Sequence, residues 1–106
     1  MRYPSVAGQF YSGSADALRK EVEGCFLHEL GPGKVPEVNP KGERRIRGIV
    51  SPHAGFMYSG PVAAHGFAAL AQDGFPEVFV IIGPNHHGVG SGVAITTHDF
   101  ETPLGV

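Results

Sequence analysis

The chain has 106 residues, 42% of them hydrophobic, and sets eight lysines and arginines against ten aspartates and glutamates. That composition suits one globular domain and lacks the basic excess of a nucleic-acid binder. No apolar run approaches the roughly 18 residues of a membrane helix, no signal-like segment opens the chain, and the single cysteine, Cys25, has no partner for an internal disulfide. A cytoplasmic protein that engages neither nucleic acid nor membrane is therefore expected. Sixteen glycines and nine prolines further argue for many tight turns rather than a plain helical bundle.

In chain order, residues 1–13 place Tyr3, Phe10 and Tyr11 among Pro4, Gly8 and Gly13, which reads as an irregular packed segment whose aromatics cover something. Ser14 can cap a helix with Asp16 in its first turn. Leu18, Val22, Phe26 and Leu30 recur at helical spacing, so an amphipathic helix is predicted up to about Gly31. Residues 31–43 hold three prolines and three glycines and read as a solvated loop. The β-branched run from Ile46 to Val50 predicts a first core strand. The turn-rich residues 51–60 follow, and Pro61 is placed at the first position of a second helix running to about Gln72. That helix is rich in alanine and glycine, which would let it lie close against a sheet. Val78–Ile82 predicts a second strand and Val93–Thr97 a third.

Two matching stretches stand out, Ile49-Val50-Ser51-Pro52-His53 and Ile81-Ile82-Gly83-Pro84-Asn85-His86-His87. Each is an apolar run stopped by proline and followed by histidine. With a helix between them they resemble one βαβ unit. Parallel strands about 5 Å apart would carry both histidines to the carboxyl edge of the sheet, where α/β folds keep their ligand sites. His53 and His86 are thus the candidate metal ligands, since neutral imidazole is the commonest such group; the plain alternative is that each bonds turn backbone. His87 should point elsewhere and suits proton transfer or orienting a ligand. His65, in the alanine-rich helix, reads as a packing residue, His28 as solvated, and Cys25 as a small core residue. Ser59 suits helix capping, and Tyr58 could line a cleft. Gly88–Gly92 completes neither a dinucleotide fingerprint nor a Walker motif. Three short strands with two helices would leave bare apolar edges, so the chain reads as the N-terminal piece of a larger single α/β domain.

Four motifs carry a resemblance: Ser5–Tyr11, Pro52–Gly60 with Ala63-Ala64-His65, Gly83–His87, and Thr102–Gly105. Together they resemble the MEMO family, also called AmmeMemoRadiSam system protein B, over nearly the whole chain. The resemblance implies an α/β fold with a mostly parallel sheet and flanking helices, like that of LigB-type class III extradiol dioxygenases. It implies a non-haem iron or copper site on His53 and His86, with a cysteine beyond Val106 in place of the dioxygenases' carboxylate. It also implies AMMECR-type and radical SAM proteins as partners. A thiolate in the ligand set favours copper(I) or an altered iron chemistry, so dioxygenase activity does not transfer with the fold. Two functions remain open: a metal-dependent redox protein, with His87 as its proton-handling residue, or a non-catalytic module holding a small aromatic or peptide ligand in the same cleft.

Overall fold

The computed structural model describes residues 1–106. Two helices, α1 (Ala15–Leu27) and α2 (Phe56–Asp73), are its only regular elements. α1 begins where the Ser14 hydroxyl accepts the Ala17 N–H at 3.3 Å, as an N-cap does. It stops at Leu27 rather than near Gly31, because the chain folds back over its end. The Gly33 N–H reaches the Phe26 carbonyl at 2.8 Å, and a Cβ at Gly31 would run into the Cys25 carbonyl oxygen.

α2 starts five residues earlier than Pro61, at Phe56. Gly55 makes the entry with φ 102° and ψ 158°, a left-handed conformation that glycine tolerates at no steric cost. The Ser59 N–H then bonds the Gly55 carbonyl at 2.9 Å, so helical bonding is under way before the proline. Pro61 therefore lies inside the helix as its sixth residue, where it removes the bond an N–H would make to the Met57 carbonyl.

The helices pack through small residues. Gly60 of α2 sits against Cys25 of α1, and a Cβ there would collide with the Cys25 sulfur. Leu18, Cys25, Ala64 and Ala71 are the buried side chains. The small residues expected to serve a sheet thus serve the other helix. Burial raises the pKa of the Cys25 thiol, and the nearby Glu21 carboxylate raises it further.

The expected parallel sheet is absent, and with it the LigB-like architecture: the chain forms no strand, and its three isolated bridges (Arg2 with Phe100, Ala7 with Tyr11, Thr102 with Gly105) join none of the segments 46–50, 78–82 and 93–97. Ile81, Ile82 and Ile95 are 93%, 90% and 95% exposed. The physical reason is that a strand leaves its backbone groups unpaired until a neighbour lies beside it, so β-branched composition alone cannot hold one. The first of these segments has found a different support and runs back along α2. The Ile46 N–H bonds the Asp73 carboxylate at 2.7 Å, a Cβ on Gly66 would lie 3.2 Å from Ile49 Cδ1, and the Ala54 N–H bonds the Ser59 hydroxyl at 3.0 Å.

The loop read as solvated is stitched to the end of α2. Asn39 donates its N–H to the Ala71 carbonyl at 2.8 Å and Arg44 to the Asp73 carbonyl at 2.8 Å, while the Asn39 amide donates to the Gln72 carbonyl at 3.1 Å. These bonds satisfy carbonyls that a helix C-terminus leaves without partners. The N-terminal aromatics cover less than expected, for Tyr3 and Phe10 are exposed. Residues 6–11 close instead into a tight turn in which Gln9 and Phe10 both donate to the Val6 carbonyl at 3.0 Å. With an accessible surface of 8674 Å², the chain exposes far more than the about 5,700 Å² of a compact chain of its mass. Its radius of gyration is 14.9 Å, where about 13 Å would be usual for its length.

Candidate functional site

His53 ends the segment that runs along α2, two residues before Gly55 turns the chain into the helix. His86 lies in a turn built by its neighbour: the Asn85 side chain accepts the Gly88 N–H at 2.8 Å and donates to the Val89 carbonyl at 3.1 Å. Local side-chain-to-backbone bonds of this kind are what Asn supplies in turns, and Gly88 completes the turn at φ 64°. The histidines, 33 positions apart in sequence, are brought into contact: the two Nε2 atoms are 3.1 Å apart, with ring centroids 5.2 Å apart and planes tilted by 44°.

One ring can donate to the other in that contact when one Nε2 carries a proton and the other does not. The separation also suits a shared cation. Metal–imidazole bonds of about 2.05 Å put two adjacent ligand nitrogens about 2.9 Å apart in an octahedral site and about 3.3 Å apart in a tetrahedral one. The observed distance falls between the two. Both rings are exposed, so an ion could reach them from solvent.

The remaining candidates stay apart. No three His, Cys, Asp or Glu side chains gather into a group able to hold a metal ion, so His87 does not join His53 and His86. Cys25 is buried between the helices with its thiol 3.9 Å from the Phe56 carbonyl. His65 bonds the Leu30 carbonyl at 2.8 Å, tying α2 to the turn after α1, and the His28 Nδ1 accepts the Leu30 N–H at 3.0 Å. Both have local structural partners.

Beside His53 opens a cleft of ≈ 980 Å³, walled on one side by the N-terminal turn with Phe10 and Tyr11 and on the other by Phe56, Met57 and Tyr58. Glu21 fixes the first wall to α1 by accepting the Ser12 N–H at 3.0 Å and the Ser12 hydroxyl at 2.7 Å. Tyr58 was expected here. Glu21 and Asn85 were not singled out from sequence, although Asn85 followed three residues later by a glycine is a readable turn signal.

The family model for Memo-like proteins matches residues 2–106. The chain belongs to this family. Its Memo-like relatives include a MEMO1 family protein of Methanothermobacter thermautotrophicus, 55% identical over 106 residues that are 99% of this chain and 38% of that protein. Another, from Methanopyrus kandleri, is 55% identical over 105 residues, 98% of this chain and 37% of that protein. A third, from Sulfurisphaera tokodaii, is 51% identical over 107 residues, 99% of this chain and 38% of that protein. This Memo-like chain therefore spans less than two fifths of the length of these curated relatives. No solved structure matches it. No helix is long and apolar enough to cross a membrane.

Proposed function

We propose that this Memo-like chain supplies two ligands, His53 and His86, to a non-haem metal site of a cytoplasmic redox protein, with iron or copper as the metal. The observation that carries the reading is the 3.1 Å approach of the two Nε2 atoms, on residues far apart in sequence and without a common element. A bound ion would supply Lewis-acid or one-electron chemistry at the mouth of the cleft. The protein's part is to present the Nε2 atoms of both imidazoles, to leave the remaining positions open, and to hold a ligand against Phe10, Tyr11 and Tyr58. His87, adjacent in sequence, is the nearest candidate for handling protons. A third ligand would come from outside these 106 residues, and AMMECR-type and radical SAM proteins are the partners proposed through the family.

Metal content of the full chain measures this directly. Bound iron or copper should fall to background in both His53→Ala and His86→Ala. Equal metal in all three proteins would overturn the reading.

The aromatic walls of the cleft beside His53 favour a second reading, in which the same cleft holds a small aromatic or peptide ligand without catalysis. Ligand binding that survives His53→Ala and His86→Ala and is lost on Tyr58→Ala would select it.

A further inference from the structure

The contact between His53 and His86 raises the question of what holds it. The hydrogen bond at each ring is to the other ring, whereas a metal-binding histidine ordinarily has its second nitrogen fixed by a carboxylate, carbonyl or water. The separation of the rings is therefore set by the backbone that carries them, and each carrier is closed by one uncharged side chain. On the His53 side, Ser59 reaches back from the first turns of α2. Its hydroxyl accepts the Ala54 N–H at 3.0 Å and lies 3.4 Å from the Gly55 carbonyl. That hydroxyl fastens the residue next to His53 to the rigid helix across the left-handed Gly55. On the His86 side, Asn85 uses both ends of its amide to close residues 85–89, so the residue preceding His86 sets the turn from which the ring projects.

We infer that Ser59 and Asn85 are positioning residues, a pair of side-chain latches that hold the His53 and His86 imidazoles at bridging distance. Neither touches the other's turn in a hydrogen bond, so each acts on its own histidine, and loss of either is enough to open the pair. The inference deepens the metal-site reading and rests on it for its purpose, but the ring geometry it concerns can be measured in the metal-free protein.

The test uses the full chain in two states. In the metal-free protein, long-range proton–nitrogen NMR of the imidazoles reports the shared Nε2 contact. With cobalt(II) as the probe, the visible absorption of the bound ion reports affinity. Ser59→Thr and Ser59→Val are matched in shape and in their effect on a helix, and differ in the hydroxyl. Ser59→Thr should keep the wild-type imidazole signals and cobalt affinity. Ser59→Val should lose the coupled signals and weaken cobalt binding by about 10- to 100-fold, the usual effect of removing a ligand's support. Asn85→Ala should do the same, and Asn85→Asp, which keeps the acceptor for the Gly88 N–H, should fall between.

Identical imidazole spectra in Ser59→Val, Asn85→Ala and wild type would overturn the inference, as would equal losses in the Thr and Val variants. If wild type itself takes up no cobalt, the metal reading fails, and the metal-free spectra still decide whether the latches position the rings.

Discussion

The helical pair and the segment from Phe75 to His98 are both rich in apolar residues, and they meet water in opposite ways. α1 and α2 close their own backbone hydrogen bonds, which leaves their side chains free to find each other, and they do so through the Gly60–Cys25 approach. The segment from 78 to 82 has more strongly β-branched sequence and remains in solvent, because a strand needs a second strand before it can bury anything. Apolar composition supplies a driving force. A partner decides whether it is used.

The largest expected effect tests the buried side of that contrast. Gly60→Val places two methyl groups where the Cys25 sulfur lies, and overpacking of this kind costs about 3 kcal/mol; urea unfolding followed by helical circular dichroism would read it. Adding Cys25→Ala should return part of the loss, and a Gly60→Val chain as stable as wild type would mean that α1 and α2 do not meet as described. Next is the segment laid along α2. Asp73→Ala removes the acceptor for the Ile46 N–H and should cost about 1 kcal/mol, the usual net worth of such a bond, while Asp73→Asn keeps an acceptor and should cost less.

A smaller effect comes from the Cys25 thiol, raised by burial and then by Glu21. The folded chain holds this proton more tightly than the unfolded one. Its contribution to stability is therefore full below the ordinary thiol range near pH 8.5 and is lost as pH rises through that range toward the raised value. Melting temperatures measured across alkaline pH should fall more steeply for wild type than for Cys25→Ala. The smallest effect falls on the solvated segment: Ile81→Ser should change the stability of this chain by less than about 0.5 kcal/mol. A loss of several times that in urea would show that the residue is covered.

These contrasts explain which parts of the molecule were legible in advance. Both helices were, because a cap such as Ser14 and a periodic apolar stripe act within a few residues of themselves. Their ends were less so. α1 is stopped by Gly31 and Gly33 folding back on Cys25 and Phe26, and α2 gains a turn ahead of Pro61 through Gly55 and Ser59, all of which are contacts rather than propensities. The expected strands failed for the complementary reason, since their stabilising partner is never local.

The candidate site divides along the same line. Sequence by itself determined the family and the two Pro-then-His stretches that break their apolar runs, because proline and glycine act on the backbone that carries them. The matching motifs pointed to the meeting of His53 and His86, but tertiary structure alone decided that they meet without the sheet expected to bring them together, and that Ile46–Val50 lies along a helix instead. Such outcomes depend on which distant groups offer a partner to an unsatisfied backbone, and a β-branched run does not name that partner in its own residues.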